Sequence, residues 1–160
     1  NKDYWGQKQM NWLLDALITS KASFKIIVNG GQVVSPAKVF ENMANYEGEH
    51  NQLLKELKNR NIPGVLFLTG DRHISDLNKL DREGTYPLYD LTVSPMTAGK
   101  ADAVKLDYNQ TLVPGTLVQE RAFSKIEVTG PLKDRVLNIT LFNVKGDVLW
   151  TKAIKSTELK

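Results

Sequence analysis

One short polar segment carries the side chains best suited to metal chemistry. It has the sequence TGDRHISD, spans residues 69–76 and directly follows an all-apolar run at 65–68, which predicts a buried strand. In α/β sheets, ligands bind beyond the carboxyl ends of the strands. Asp71 and His73 therefore offer an oxygen and a nitrogen ligand that can converge on a cation, and Gly70 would let the backbone turn sharply before them.

A structural interpretation of the same residues stays open. In a Gly-Asp-x-His motif taken alone, the aspartate more often caps the next segment and the histidine is more often a surface side chain. The position directly after a buried strand favours the metal interpretation. His50, the only other histidine, lies within a predicted helix, and we expect it to be solvated rather than a ligand.

Further polar side chains follow a second apolar strand. The run FKIIV at residues 24–28 predicts a buried strand that ends in a tight loop at Asn29-Gly30-Gly31. If the two strands are neighbours, Asn29 and Gln32 lie at the same sheet edge as the Asp-His pair. Their side-chain carbonyl groups could then complete a metal shell or hold a phosphate. Without other information, the loop is more often only a turn.

The elements that must position these residues change type along the chain. Apolar spacing predicts amphipathic helices at 5–19 and 47–60, each followed by one of the two apolar strands, so the first half is α/β. After residue 85 the pattern indicates strands without clear helices, in an antiparallel sheet. These predicted strands are 88–93, 125–128, 136–144 and 148–154, with a turn at Lys145-Gly146-Asp147 that makes a terminal hairpin.

The stretch between these strands and the composition add further limits. Residues 95–122 predict a long loop around the site or the sheet edge. The 160 residues are 41% hydrophobic and 24% charged, which is typical of one soluble globular domain or a large piece of one. A net charge of +3 with scattered basic residues argues against a nucleic-acid groove, and no apolar run is long enough to span a membrane. The chain has no cysteine, which excludes a thiolate nucleophile.

Several motifs together resemble the C-terminal half of the PhoD-like phosphatases, and the resemblance covers nearly the whole chain. Their order and spacing are much more specific than the Gly-Asp-x-His motif alone. The motifs are Gln9-x-x-Trp12-Leu13, then Leu17, Ser20, Ala22 and Phe24–Ile27, the Tyr46–His50 helix start, Leu68–His73, Ser94-Pro95, the Gly146 turn and Trp150.

The resemblance implies a calcineurin-like metallophosphoesterase. Its fold would be α/β (α+β), part of a four-layer α-β-β-α sandwich whose N-terminal half is absent, with residues 1–160 as the C-terminal part of a single domain. Because the chain begins at Asn1 rather than methionine, we expect residues upstream. The implied activity is hydrolysis of phosphate mono- or diesters at a centre of two or more metal ions, which would be iron, calcium, manganese or zinc. PhoD relatives are commonly exported, so an exported or periplasmic location is expected.

The resemblance also implies roles for individual residues. Asp71 and His73 stand where the family has catalytic metal ligands, and Asn29, or less readily Gln32, stands near the place of a further ligand. Arg72 and Asn29 are the candidate substrate-binding residues, and Arg72 points either to the substrate phosphate or into solvent.

One departure from the family leaves an alternative function open. The superfamily's N-terminal ligand motifs do not occur in these 160 residues, so we expect the chain alone to bind metal poorly and to turn over little. The alternative is a non-catalytic binding or structural domain on the same scaffold. It would recognise a phosphorylated or glycan ligand through Arg72 and the loop at 95–122.

Overall fold

The computed structural model describes residues 2–100 and 109–160, and within these ranges the chain forms helices and two separate sheets. The elements in chain order are α1 (Gln7–Thr19), β1 (Lys25–Val28), a 3₁₀ helix (Met43–Asn45), α2 (Glu47–Asn59), β2 (Val65–Thr69), β3 (Asp76–Leu80), β4 (Leu88–Thr92), β5 (Ala122–Thr129), β6 (Val136–Asn143), β7 (Val148–Lys155) and a second 3₁₀ helix (Ser156–Glu158). Both predicted helices and the mixed α/β class are confirmed.

The first sheet has the strand order β1-β2-β4-β3 and carries the candidate site. Strands β1, β2 and β4 run parallel, and β3 pairs antiparallel with β4. The second sheet has the order β5-β6-β7 and is antiparallel throughout, so the predicted terminal hairpin is confirmed. No helix within the two described ranges is both long and apolar enough to cross a membrane.

Helices α1 and α2 bury apolar stripes that join the core of the first sheet. The buried positions of α1 recur at helical spacing, which is the pattern of a helix with one face on a sheet. These positions are Met10, Leu13, Leu14 and Leu17 on α1 and Leu53 and Leu57 on α2. The side chain of Glu49 then fixes the N-terminal segment, because its carboxylate accepts hydrogen bonds from the backbone N–H groups of residues 4–6.

The assignment of residues 88–93 to the antiparallel sheet is wrong. The strand there, β4, lies in the first sheet, where it runs parallel to β2. All five of its residues are buried. A strand covered on both faces is typical of the interior of a parallel sheet, and this burial is the physical reason for the difference.

The sequence pattern does not predict strand β3. Its sequence, DLNKL, lacks the alternation of apolar and polar residues that indicates a half-buried strand. Two of its buried positions are Asp76 and Asn78, which hydrogen-bond to each other inside the protein. Its other edge is covered by the segment after residue 108, through bridges from Ser75 to Val118 and from Asn78 to Leu112. For its described residues, the loop predicted at 95–122 therefore does follow the sheet edge, while residues 101–108 lie outside the described part.

Strand β1 is an edge strand that is buried on one face only, which corrects the prediction of a buried strand there. Lys25 and Ile27 point into the protein, whereas Ile26 and Val28 alternate with them and are exposed. Trp12 and Ile18 of the neighbouring helix α1 are also exposed. Trp12, Ile26 and Val28 line one shallow pocket, and we call these three residues the β1 surface.

His50 is not the solvated side chain that its helical position suggested. It is partly buried, its Nε2 atom is shielded from solvent, and the imidazole hydrogen-bonds to the backbone of Val33. Burial lowers the pKa of His50, and the hydrogen bond to Val33 opposes this only in part. The residue therefore links α2 to the segment that follows β1.

This environment predicts a dependence of stability on pH. Because the pKa of His50 is lower in the folded state, the unfolded chain takes up the proton first as the pH falls below about 6.5, and the free energy of unfolding decreases. In His50→Gln, whose amide can still donate to Val33, this contribution should be missing. Urea unfolding of the full-length protein at about pH 7.5 and about pH 5.5 measures it. If wild type and His50→Gln lost the same free energy of unfolding between the two pH values, the lowered pKa of His50 would be contradicted.

Candidate metal and phosphate site

The loops after β1 and β2 meet at one edge of the first sheet. The two strands are parallel neighbours, as the sequence argument required, so their carboxyl ends lie side by side. The backbone N–H of Gly70 donates to the carbonyl of Gly30 at 2.9 Å, which joins the two loops directly. Asn29 and the Asp71-His73 pair therefore extend from adjoining loops of the sheet.

Both candidate ligands of the second loop have unusual backbone conformations. The φ angles are 61° at Asp71 and 54° at His73, in the left-handed region that few non-glycine residues adopt. The sharp turn expected at Gly70 thus falls on the two candidate ligands, Asp71 and His73. The backbone N–H of His73 donates to Ser94 Oγ at 2.7 Å, and that of Arg72 to the carbonyl of Gly70 at 2.7 Å. Such strained residues persist only where their surroundings hold them, and they cluster at functional sites.

A cavity of about 400 Å³ opens at this loop. Asp71 is exposed and His73 is partly exposed, so both side chains can reach a ligand there. The lining residues are Phe40, Glu41, Asp71, Arg72 and His73. We call this space the site cavity.

Arg72 lines the site cavity from a buried position. Of the two directions that the sequence left open, the burial excludes solvent, and the role of Arg72 in substrate binding stays a prediction. Only 9% of the residue is exposed. Its guanidinium carbon lies 4.7 Å from the centre of the Phe40 ring, a cation–π contact. Its Nη1 also donates to Asn42 Oδ1 at 3.3 Å. A fixed cation beside the two candidate ligands suits recognition of an anionic oxygen.

Asn29 is held by the N-terminal segment. Its Oδ1 accepts a hydrogen bond from the indole N–H of Trp5 at 3.1 Å. Its Nδ2 donates to the hydroxyl of Tyr4 at 2.9 Å and to the carbonyl of Gly31 at 2.7 Å. The amide is therefore oriented at the sheet edge, and a role for Asn29 as ligand or substrate-binding residue stays a prediction.

Gln32 lies deeper and belongs to a buried polar network. Its Nε2 donates to Asp76 Oδ1 at 3.1 Å and to Thr92 Oγ1 at 2.8 Å. Its Oε1 accepts from Asn42 Nδ2 at 3.3 Å. Gln32 thereby connects β3 and β4 to the residue that holds Arg72. Its role as a metal ligand stays a prediction, and its contacts give it a positioning role.

Two buried carboxylates, Asp76 and Asp90, form hydrogen bonds with the segment that follows β1. Burial raises the pKa of Asp76 to about 6, and the neighbouring charge of Asp90 adds to the effect. Burial also raises the pKa of Asp90, although the Thr69 hydroxyl and the backbone N–H groups of Val33 and Val34 donate to its carboxylate and oppose the shift. Asp90 thus ties the segment after β1 to the centre of the sheet.

The donor set fits part of a metal centre. Asp71 and His73 supply an accessible carboxylate and imidazole, which suit several divalent metals. The side-chain oxygens of Asn29 and Gln32 already accept one hydrogen bond each, so they would have to share a lone pair with the ion. In the part of the chain that the structure describes, no three His, Cys, Asp or Glu residues gather closely enough to hold a metal. Asp71 and His73 therefore stay candidate ligands.

Sequence reasoning missed the residues that come from the irregular segment before α2. Phe40, Glu41 and Asn42 have no motif or periodicity, and only the fold brings them to the Gly-Asp-x-His loop. Gly31 is a signal in the sequence for this close packing, because a Cβ there would lie 2.7 Å from the carbonyl oxygen of Glu41. The glycine thus allows the segment to pack closely against the loop after β1.

Comparisons with known proteins give a family and a similar fold. The family model of the PhoD-like phosphatases matches residues 1–130. A solved structure titled "Structure of PhoD" is similar with a TM-score of 0.66 at 17% sequence identity, over 97% of this chain and 34% of that one. The chain thus spans about a third of the length of that structure, and the likeness shows the fold. No curated protein matches the chain. Because the family model covers more than half of the sequence, the chain belongs to the PhoD-like phosphatase family.

Proposed function

We propose that the protein containing this chain is a metal-dependent phosphoesterase that hydrolyses phosphate mono- or diesters. The observation that carries the proposal is the convergence of Asp71, His73 and Arg72 on one cavity in a chain of the PhoD-like phosphatase family. A carboxylate and an imidazole suit metal binding, and a buried guanidinium suits a phosphate oxygen.

The chain's residues would divide the work in a simple way. Asp71 and His73 hold metal, with Asn29 and Gln32 as further candidate oxygen ligands. Two or more bound ions of iron, calcium, manganese or zinc would supply Lewis acidity, which stabilises charge on a phosphoryl group and lowers the pKa of a bound water. Arg72, fixed by Phe40 and Asn42, donates to a non-bridging phosphate oxygen and orients the ester. An exported location belongs to the same proposal.

We also propose that the rest of the same domain packs on the β1 surface. Within residues 2–100 and 109–160, no strand pairs with the outer edge of β1, and an edge strand with exposed apolar residues is open to pairing with another strand. The chain covers only a third of the similar structure, so enough additional chain is expected to cover this edge. The remainder would complete both the sandwich and the metal shell.

This packing predicts a clear effect of Val28→Lys. Val28 is 75% exposed in the chain, yet burial by the rest of the domain would make a lysine there cost about 2 kcal/mol or more of the free energy of unfolding. Val144→Lys is the matched control, because Val144 is 64% exposed in the turn after β6. Urea unfolding of both full-length variants decides the matter: equal, near-zero effects would contradict the proposed packing.

The proposed activity is tested with the full-length protein. It should hydrolyse p-nitrophenyl phosphate, bis(p-nitrophenyl) phosphate or both in the presence of added calcium, manganese, iron or zinc. Inertness towards both esters with every metal would support the alternative, a non-catalytic domain that recognises a phosphorylated or glycan ligand through Arg72 and the loop at 95–122.

A further inference from the structure

Phe40 is an unexpected residue at the mouth of the site cavity. Its side chain is 76% exposed, although leaving a large apolar ring in water costs free energy. Its φ angle is 48°, in the left-handed region, where a bulky residue is a true outlier. Both features cost stability, and such strain is found at sites that bind ligands.

The ring is held in a defined place. The guanidinium of Arg72 lies over one face at 4.7 Å from the ring centre. Arg72 is in turn bound by Asn42, which is fully buried and donates to the carbonyl of Ala37 at 3.1 Å and to Gln32 at 3.3 Å. This chain of contacts connects the ring to the core of the first sheet. An aromatic ring that is fixed on one face and open on the other is a preformed stacking surface.

The open ring adjoins the groups that would bind the phosphate. Phe40, Arg72 and the Asp71-His73 pair line the same cavity of about 400 Å³. A phosphate bound by Arg72 would therefore have its ester substituent close to Phe40. A planar apolar substituent gains dispersion and quadrupole contacts on such a surface, whereas a small alkyl group gains few.

We propose that Phe40 is a specificity-determining residue that stacks on the leaving group of the substrate and favours phosphate esters with a planar aromatic substituent. The inference rests on the proposed phosphoesterase function and deepens it by naming the substrate class. Arg72 contacts both the ring and the phosphate, so recognition of charge and of the aromatic group is coupled.

Ligand binding tests the proposal without turnover. Phenylphosphonate and methylphosphonate carry the same charged group and differ only in the substituent, and neither is hydrolysed. Titration calorimetry of the full-length protein should give phenylphosphonate a dissociation constant about 3- to 10-fold lower than that of methylphosphonate. In Phe40→Ala this ratio should fall to near one, and Phe40→Trp should retain it.

A matched control removes an exposed apolar side chain elsewhere. Leu132 is 74% exposed and lies near Ser23 and Pro63, at the opposite end of β1 and β2, so Leu132→Ala should keep the wild-type ratio. An unchanged ratio in Phe40→Ala would overturn the proposal, as would a wild-type protein that binds phenylphosphonate no more tightly than methylphosphonate. The latter result is expected if the rest of the domain covers the ring.

Hydrolysis assays separate this inference from the activity on which it rests. In an active protein, Phe40→Ala should lower kcat/KM for phenyl phosphate about 3- to 10-fold and leave that for methyl phosphate within about 2-fold. Equal losses for both esters would overturn the role of Phe40 while the phosphoesterase function stands. A protein that is inert but shows the predicted binding ratio would instead overturn the phosphoesterase function and keep the stacking site.

Discussion

Replacing Asp71 and His73 together by alanine in the full-length protein should lower kcat/KM for its best phosphate ester by at least about 100-fold. Loss of a group that only supports a metal ligand typically reduces affinity or activity 10- to 100-fold, so removal of two direct ligands should exceed that range. The two side chains lie at the carboxyl edge of the sheet, beside the buried cation Arg72. Initial rates at saturating metal measure the effect.

The control for this experiment is an acidic residue outside the site. Asp15 is exposed on α1, and Asp15→Ala should keep the wild-type rate. Because Asp71 is exposed and His73 is partly exposed, the free energy of unfolding of the double variant should lie within about 1 kcal/mol of that of the wild type when both are measured without added metal. A folded double variant with undiminished activity would remove both residues from the mechanism.

Replacing Asp90 by alanine should lower the free energy of unfolding by about 3 kcal/mol or more. The carboxylate is fully buried and accepts hydrogen bonds from the Thr69 hydroxyl at 2.6 Å and from the backbone N–H groups of Val33 and Val34 at 2.7 and 3.0 Å. Alanine would leave these donors buried without that acceptor, and each buried unsatisfied group costs about 1–3 kcal/mol. Urea unfolding of the full-length protein measures the loss.

Asp90→Asn provides the matched comparison. An asparagine can direct its oxygen to the N–H groups of Val33 and Val34 and its amide nitrogen to the Thr69 hydroxyl, which can accept as well as donate. Thr69 can then donate to Thr92, whose hydroxyl lies 3.0 Å away. The asparagine variant should therefore lose only about 1 kcal/mol. If alanine were tolerated as well as asparagine, the carboxylate would not be the link between the segment after β1 and the sheet.

Local sequence patterns predicted the elements whose burial follows a simple period. Helix α2 repeats its leucines at helical spacing, and the strands β6 and β7 surround a glycine turn. Strand β3 does not follow such a period, because Asp76 and Asn78 are buried polar residues whose hydrogen-bond partners lie on distant segments. The pairing of β4 with β2 could not be predicted either. A fully buried strand has no alternation of apolar and polar residues, so its sequence does not distinguish a parallel from an antiparallel neighbour.

The candidate site likewise combines residues that local sequence predicts with residues that only the fold brings together. Asp71 and His73 were found because they follow an apolar strand directly, and the parallel pairing of β1 with β2 then brought Asn29 to the same edge. The surroundings of Arg72 could not be predicted in this way. Phe40 and Asn42 lie about thirty residues earlier in the chain, in a segment without regular structure, so only tertiary packing brings them to the arginine.

Elemental analysis of the full-length protein shows whether Asp71 and His73 bind metal. Wild type and the Asp71→Ala, His73→Ala double variant would be dialysed against the same metal solution and their bound metal counted. We expect about two ions per wild-type molecule and the loss of at least about one in the double variant. Equal metal content in the two proteins would contradict it, because Asp71 and His73 would then not be ligands.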